Sequence, residues 1–586
     1  MVKLAVVDRK KCNPKSCGDY LCIKACPINR TGSECIVEAK DQKILINEEL
    51  CTGCKICSNK CPFQAIQIIN LPERLKEVPI HQFGPNMFEL FRLPIPKEKT
   101  VVGLLGRNGI GKSTALEILS GNLIPNLGDY FERGDKEKVI KHFSKTSMHE
   151  YFKKLYDGKL KVSYKPQRIE LLPQLYKGKV KDLLEKVDER KQSGKLVKEL
   201  QLDHLMDRHL SKLSGGELQK VAIIAAIVKK ADFYFFDEPA SFLDVTSRIK
   251  VAKLIRELSK GSAVMVVEHD LATLDYVSDE IQILYGKQAG YGVVSQSKGV
   301  SRGINEYLDG FLPDDNVRFR DYGIVFQRAP DSKTSEDAIL FEFQELTKKF
   351  KGFELKTNKG NVHKAEVMAV MGANGLGKTT FLKLLAGLEK PTTGKIDKIK
   401  ISYKEQYPEI VKGTVREWLE KSKDYKTGWY KQNILEKLGL LKVIDSEISS
   451  LSGGELQKVY IAVCLGNEAE LYALDEPSAF IDVEDRLKVA EVIKEFILKK
   501  EKAAIVVDHD VQFTEYIADS MLVFEGVPSV NGEVYGPCTK REGMNRVLKM
   551  LDITYRKDKD TNRPRINKGD SQLDKEQRSK GEYYYS

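Results

Sequence analysis

Two carboxylate pairs at the ends of apolar runs are the residues best placed for phosphate chemistry. Asp237 and Glu238 close the run Phe233-Tyr234-Phe235-Phe236, and Asp475 and Glu476 close Leu471-Tyr472-Ala473-Leu474. In such a pair the Asp organises magnesium and its water shell while the adjacent Glu polarises attacking water, so two tasks occupy two carboxylates. A lone pair would read as a solvated strand end, but this one recurs at matching positions. Upstream of each pair stands a glycine-rich loop. The first holds Gly106, Asn108, Gly109, Gly111, Lys112, Ser113 and Thr114; the second holds Gly372, Asn374, Gly375, Gly377, Lys378, Thr379 and Thr380. Glycines let backbone amides wrap around phosphates, Lys112 or Lys378 reaches the terminal phosphates, and Ser113 or Thr379 holds magnesium. Stepping outward, each loop follows a run with the pattern of a buried strand, 101–105 or 367–371, and precedes an apolar helix. The acidic runs are predicted to be central strands that deliver their carboxylates beside the phosphate loop.

The cysteines carry a second chemistry. Nine of the eleven lie between Cys12 and Cys61, with only Cys464 and Cys538 beyond. One dense patch beside nucleotide motifs points to intracellular metal chemistry rather than a secreted disulfide scaffold. Cys51, Cys54, Cys57 and Cys61-Pro62 have the spacing of bacterial-type ferredoxins, in which three close thiolates grip one cubic cluster and the fourth serves its neighbour. Cys12, Cys17, Cys22 and Cys26-Pro27 form a looser version of the same arrangement. Crossed ligation then predicts Cys12, Cys17, Cys22 and Cys61 on one 4Fe-4S cluster, and Cys26, Cys51, Cys54 and Cys57 on the other. Cys35 is left over. Structural zinc also uses tetrahedral thiolates, but two interleaved sets each ending in Cys-Pro match the ferredoxin pattern better.

A third repeat is Leu213-Ser214-Gly215-Gly216-Glu217-Leu218-Gln219, found verbatim as Leu451-Ser452-Gly453-Gly454-Glu455-Leu456-Gln457. In both copies 23 residues separate the serine from the acidic-motif Asp. With the loops and carboxylates, this resembles the ABC ATPases. After the first signature, Leu218, Val221, Ala222, Ala225 and Ala226 are expected to form a helical apolar face, leaving the glycines at a helix start that favours phosphate. The resemblance implies that each signature completes the ATP site of the other cassette, pairing Lys112 with Ser452 and Lys378 with Ser214. It implies that Gln167 and Gln406 sense magnesium and the attacking water. It also implies that His269 and His509, after the strand patterns 264–267 and 505–507, contact the terminal phosphate. Asp244 and Asp482 match loops that communicate across the paired cassettes. Phe83 and Phe88 precede the first phosphate loop, and Phe350 and Phe353 the second; each serves equally well as an adenine platform or as core packing.

The 586 residues exceed one hydrophobic core, and 41% hydrophobic with 31% charged residues describes ordinary globular domains. No apolar run reaches the roughly 18 residues needed to cross a bilayer, and the first eleven residues lack the core of a secretory peptide. The net charge of +11 favours an anionic partner without choosing among RNA, DNA and lipid. The expected fold class is α/β, with two tandem ABC-type P-loop ATPase domains preceded by an α+β two-cluster ferredoxin-like domain. The expected divisions are a cluster domain at 1–75, a first cassette at 76–292, a hinge at 293–335, a second cassette at 336–527, a C-terminal hinge at 528–568 and a flexible tail at 569–586. Lys112 and Gln167 are 55 residues apart but Lys378 and Gln406 only 28, so the first cassette carries an insert near 131–158. Its lysines alternate with Val139, Phe143 and Phe152 as two short amphipathic helices would require. Residues 540–568 have ten basic against four acidic residues, which suits nucleic acid or a brace between the cassettes.

Over nearly the full length the chain resembles the archaeal and eukaryotic ribosome-recycling ABC ATPases, the RNase L inhibitor family, down to Arg563-Pro564-Arg565-Ile566-Asn567-Lys568. That likeness implies a cytoplasmic monomer whose cassettes pair intramolecularly, using ATP, Mg2+ and two 4Fe-4S clusters. It implies work on the 70S-type ribosome and its small subunit beside a termination or surveillance factor, with contacts to initiation factors and none to a membrane. Cys35 matches a dispensable extra position of the family. Two other classes compete: an ATP-gated iron-sulfur redox enzyme, and the ATPase component of a membrane transporter. A chromosome-type ATPase fits less well, because neither cassette is interrupted by a long heptad segment.

Overall fold

The computed structural model describes residues 3–9, 11–70, 77–326, 339–396, 399–406, 412–559 and 561–585. The expected boundaries at 75/76 and 335/336 lie outside the described residues. Packing divides the chain into two units, one of Met1–Pro239, Lys253–His269 and Val277–Gly323, the other of Ala240–Ala252, Asp270–Tyr276 and Ile324–Ser586.

In the first unit the cysteine segment folds around two antiparallel strand pairs, Lys3–Val7 with Ile66–Asn70 and Ile36–Glu38 with Ile44–Ile46. Alternating Ala5, Val7, Ile66 and Ile68 turn one face inward, where they pack with buried Cys12, Cys22, Cys26 and Cys57. Helices Leu21–Ala25 and Ile56–Lys60 each end one residue before a cysteine that precedes proline. This segment joins the following one through Asn86, which is 4% exposed. Its side chain accepts from the Ile46 amide (2.7 Å) and donates to the Ile46 carbonyl (3.0 Å), while its carbonyl accepts from Val7 (2.9 Å).

The first cassette is built on one sheet in the order His81–Gln82, Glu89–Phe91, Tyr291–Val294, Glu280–Lys287, Val101–Leu105, Ala263–Val267, Phe233–Asp237, Val162–Lys165. In the second unit the order is Leu346–Phe350, Phe353–Thr357, Asn531–Thr539, Ser520–Val527, Glu366–Gly372, Ala503–Val507, Leu471–Asp475, Ile401–Lys404, the same topology again. Because 101–105, 263–267 and 233–237 run parallel, with Val267 opposite both Leu104 and Asp237, everything that follows these strands emerges at one sheet edge. Continuous burial along 101–105, 263–267, 471–475 and 503–507 reflects helices on both faces.

The insert forms helices Lys136–His142 and Met148–Tyr156 on either side of a turn at 144–147, as its periodicity requires. Val139, Phe143, Met148, Tyr151 and Phe152 face the cassette core, and Tyr151 Oη donates to the Leu119 carbonyl at 2.6 Å. Lys136, Lys138, Lys141, Lys145, Lys153 and Lys154 are all exposed.

Three expected divisions are corrected. The boundary at 292/293 cuts the strand Tyr291–Val294, which pairs with both Glu89–Phe91 and Glu280–Lys287. The hinge said to begin at 528 starts inside the hairpin that pairs Ser520–Val527 with Asn531–Thr539. In both places strands that close the sheet follow the last catalytic motif, so motif spacing underestimates the domain. The tail at 569–586 is not a loose polar segment. It contains helix Gln572–Lys580, capped by Ser571, with Asp574 buried against Thr554 (2.5 Å) and the Tyr584 hydroxyl donating to Glu515 (2.8 Å). Asp574, Gln577, Arg578 and Tyr584 there each meet a partner that only folding supplies.

Candidate functional site

The two phosphate loops have nearly the same geometry. Gly111 and Gly377 stand at φ +94° and +92°, a left-handed conformation open to glycine, and each begins a helix, Lys112–Leu119 or Lys378–Leu385. Lys112 Nζ donates to the carbonyls of Gly106 (2.7 Å) and Arg107 (2.6 Å), and Lys378 Nζ to those of Gly372 (2.9 Å) and Ala373 (2.7 Å). Each lysine thus folds back over its own loop. Burial lowers Lys378 to about 8 against the pull of Asp244, Glu476 and Asp475.

The carboxylates end the neighbouring strands as expected. Asp475 Oδ2 accepts from Thr379 Oγ1 at 2.8 Å, and Ser113 makes the matching bond to Asp237. Burial, then the charge of Glu238, raises Asp237 to about 6; burial also raises Asp475. The Oδ1 atoms of both aspartates are buried without a hydrogen-bond partner. A buried acceptor of that kind beside a hydroxyl suits a divalent cation, and Ser113 with Asp237 and Thr379 with Asp475 are the groups that would hold magnesium. Glu238 and Glu476 lie one residue past the strands at φ +47° and +48°. Glu238 Oε1 accepts from Gln167 Nε2 at 2.8 Å and faces His269 Nε2 at 3.4 Å. Glu476 Oε1 accepts from Gln406 Nε2 at 2.7 Å and faces His509 Nε2 at 3.4 Å. Burial works to raise Glu476, but His509, Gln406 and Lys378 outweigh it and leave its carboxyl at about 2. Its carboxyl is therefore ionised across the physiological range.

Ser214 and Ser452 cap helices Gly215–Ile227 and Gly453–Gly466 in reciprocal capping boxes with Glu217 and Glu455. The glycines accordingly occupy the helix starts, where amides point outward. The buried face of the first helix differs from expectation: Leu218, Val221 and Ala226 are buried, but Ala222 and Ala225 are only partly so, and Ile223, Ile224 and Ile227 complete it. The larger side chains reach the core from positions where alanine does not.

The thiols gather in two fours across the chain order. Cys12 and Cys22 each neighbour Cys17 and Cys61, and burial pushes Cys22 up to about 12. Cys26, Cys51, Cys54 and Cys57 line one hollow together with Cys35. These are the crossed sets expected from the spacing. Among the described residues no three His, Cys, Asp or Glu side chains converge as they would on a single ion; the thiols surround a volume instead, which suits a cubic cluster.

The 4Fe-4S binding domain model matches residues 44–67, the possible Fer4-like domain in RNase L inhibitor matches 2–34, and the ABC transporter model matches 95–241 and 355–479. Translation initiation factor RLI1 of Saccharomyces cerevisiae is 42% identical over 598 residues, covering 100% of this chain and 98% of that protein. The chain belongs to the RNase L inhibitor family of ABC ATPases. Among solved structures similar to this family member, an archaeal ABCE1 described as ribosome-bound with Pelota superposes with a TM-score of 0.94 at 48% identity, covering 100% of this chain and 99% of its own. An archaeal ribosome recycling factor aABCE1, in complex with ribosomal stalk protein aP1, superposes with a TM-score of 0.83 at 47% identity, covering 88% and 100%. As a member of this family the chain is an ATPase that uses ATP and Mg2+ and carries two 4Fe-4S clusters.

The aromatic expectations divide. Phe83 and Phe350 keep 46% and 45% of their surface exposed. Phe88 is different: a Cβ placed on Gly111 would meet its ring at 2.7 Å, so it wedges beneath the phosphate loop, as Phe353 does beneath Gly377 at 3.0 Å. Phe88 is thus a loop support rather than an open platform, because the hairpin edge holds it under the glycine.

Several residues of this ATPase escaped motif reading. Lys165 and Lys404, buried two residues before the glutamines, donate to the Asp237 and Asp475 carbonyls, each at 2.8 Å; Lys165 also reaches the Glu238 carbonyl at 3.2 Å. Burial brings both lysines down to about 8. Gln219, wholly buried, donates to the Glu238 carbonyl (2.7 Å) and the Pro239 carbonyl (2.9 Å). In the second unit Asp244 Oδ2 accepts from the Asn374 amide at 2.9 Å, and Asp482 caps helix Val483–Lys500. Arg486 donates to Ile481 O (2.7 Å) and pairs with Asp510 (2.5 Å), while Arg248 donates to Leu243 O (2.9 Å) and pairs with Asp270 (3.4 Å). Each arginine therefore links the loop of an expected interface Asp to the residue after His269 or His509. Gln219 closes the repeated signature, while for the others the signal is the recurrence of Lys two places before Gln and of Arg four places after Asp.

Proposed function

We propose that this chain is an ATP-driven ribosome-recycling factor of the cytoplasm, which separates ribosomal subunits and stays on the small subunit afterwards. The reading rests on the full-length likeness to archaeal ABCE1 described on the ribosome with Pelota. Its partners are then the ribosome, a termination or surveillance factor, and initiation factors that meet the small subunit later.

Each ATP serves as an adhesive between cassettes, Lys112 working with Ser452 and Lys378 with Ser214. Glu238 and Glu476 orient the attacking water, Gln167 and Gln406 couple it to magnesium, and His269 and His509 steady the terminal phosphate. Ser113, Asp237, Thr379 and Asp475 place the metal. Phe83 and Phe350 offer a face to adenine. Closure on ATP moves a partner only to the extent that the partner binds open and closed forms unequally. The exposed lysines of the insert are suited to ribosomal RNA phosphates, whereas in the basic stretch 540–568 Arg563 and Arg565 are taken up by Asp275 and Arg546 by Glu525.

The test mixes protein holding both clusters with ribosomes, a release or surveillance factor, and ATP or a non-hydrolysable analogue. Subunit separation that requires nucleotide and the cluster domain, followed by retention on the small subunit, is the expected outcome. Multi-turnover electron transfer with no separation would favour the redox reading, and nucleotide-dependent binding to a membrane complex the transporter reading.

A further inference from the structure

Two loops carry the hydrolytic groups of the second cassette. One follows the strand Leu471–Asp475 and holds Glu476; the other follows Ala503–Val507 and holds His509. The strands lie side by side, with Asp475 opposite Val507 and the Glu476 amide donating to the Val507 carbonyl at 2.8 Å. Beyond the strand ends, Glu476 Oε1 and His509 Nε2 still stand 3.4 Å apart. A buried serine on one loop and a buried carboxylate on the other span the gap. Ser478 Oγ donates to Asp508 Oδ1 at 2.8 Å, and the Ser478 amide donates to Asp508 Oδ2 at 3.0 Å. Asp508 Oδ1 also accepts the Asp510 amide at 2.8 Å, so one carboxylate fixes the backbone on the far side of His509 as well. A carboxylate taken out of water needs such donors, and here they reach it from both loops. Glu476, Ser478, Asp508 and His509 line one cavity.

The first cassette has other residues at these positions. Ala240-Ser241 stands where the second has Ser478-Ala479, and Glu268 stands where the second has Asp508. Alanine brings no hydroxyl, and Glu268 turns its carboxylate back onto the His269 amide at 3.1 Å. Serine therefore occurs with the shorter carboxylate and alanine with the longer one, while Arg248 and Arg486 bind alike in both cassettes.

We propose that Ser478 and Asp508 are a positioning pair for ATP hydrolysis in the second cassette, holding the loop of His509 against the loop of Glu476. The pair rests on the roles given to those two residues, and adds what sets their separation. It acts through the histidine, which it keeps turned toward the terminal phosphate while Glu476 faces the attacking water. A device of this kind governs the rate of the bond-breaking step and leaves nucleotide affinity alone.

The test reads the first turnover of bound ATP by rapid quench in the full chain carrying Glu238→Gln, so that Glu476 works alone. Ser478→Ala should slow that turnover about tenfold, as loss of one hydrogen bond to a charged group would, with half-saturating ATP unchanged. Asp508→Glu should slow it too. Both changes together give the second cassette the pair found in the first, and should bring the rate back to within about threefold of the parent, since coupled residues are not additive. In a chain carrying Glu476→Gln instead, where Glu238 works alone, Ser478→Ala should change nothing. His509→Ala should slow the Glu238→Gln chain at least as much as Ser478→Ala does. The proposal is overturned if Ser478→Ala leaves the rate intact while His509→Ala lowers it, if the double variant is no faster than the slower single one, or if Ser478→Ala slows both backgrounds equally, which marks a general loss of structure. A His509→Ala chain of undiminished rate would remove the role of the histidine itself, and the pair with it. Where Asp508→Glu does not accumulate, Ser478→Ala compared between the two backgrounds decides.

Discussion

Glu238 and Glu476 stand in left-handed backbone geometry, which costs a non-glycine residue about 1–2 kcal/mol. At Glu238 the strain is held by Lys165 and Gln219, whose donors converge on its carbonyl. The Gln of Glu238→Gln combined with Glu476→Gln keeps the shape but cannot take up charge, so steady-state ATP turnover should fall about a hundredfold or more while nucleotide stays bound. Undiminished turnover with normal nucleotide release would reject the assigned roles. Lys165→Met probes the support. A charge-assisted hydrogen bond is worth about 1.5–3 kcal/mol, so kcat should drop about tenfold to a hundredfold with little change in KM for ATP. Asp237 is raised to about 6 by burial and then by Glu238, and Lys165 is among the groups holding it down. Losing that cation raises it further, so the acid limb of the turnover profile moves to higher pH and half-saturation requires more magnesium. An acid limb that stays in place would make Lys165 structural only.

At the scale of elements, the insert is joined to the first cassette through a small aromatic cluster. Phe152 is fully buried, stacks on Phe143 with centroids 5.0 Å apart, and adjoins Tyr151, whose ring meets Phe233 edge-on at 5.1 Å. Phe152→Ala should cost about 3–5 kcal/mol by cavity formation. Lys136 lies over the Tyr156 ring at 5.6 Å, but replacing Lys138, Lys141, Lys145, Lys153 and Lys154 with glutamine should leave the melting temperature nearly unchanged; comparing that variant with Phe152→Ala by denaturant unfolding separates the two faces. The C-terminal segment depends on charge instead. Arg563, with no exposed surface, and Arg565 both bind Asp275, at 3.1 Å for Arg563 and at 2.7 and 2.9 Å for Arg565. Asp275→Ala leaves both guanidinium groups without that partner and should destabilise the second unit by about 3–5 kcal/mol. Calorimetry showing an unshifted unit-two transition would contradict this.

For the whole molecule, the cluster segment is the part whose folding depends on something other than the chain. Each half supplies a cysteine to the other half's set, so neither cluster can be lost without loosening both halves. Iron removal by a chelator under reducing conditions should therefore expose residues 11–70 to protease and abolish the visible band. The cassettes, which have their own cores, should melt as before. Cassettes that unfold together with the clusters would show that the stability of the two parts is shared.

The chemistry was written in short, local spacings. Both phosphate loops, both acidic pairs, both signatures and the thiol motifs are recognisable from residue types a few positions apart, although they become sites only when the sheet brings Thr379 to Asp475 and the fold brings Cys61 to Cys12. The insert was equally readable, because amphipathic period and turn residues are local too. What local pattern could not supply was the set of long-range partners. Lys165 is one lysine among many until the sheet places it under the Asp237 carbonyl, 72 residues away; Phe88 serves equally well as adenine platform or core packing until Gly111 is seen to close over it. Residues 569–586 look like a tail until Thr554 and Glu515 meet them. A buried charge or an ordered terminus gains its stability from a partner contributed by another part of the chain, and that pairing exists only once the tertiary fold has formed.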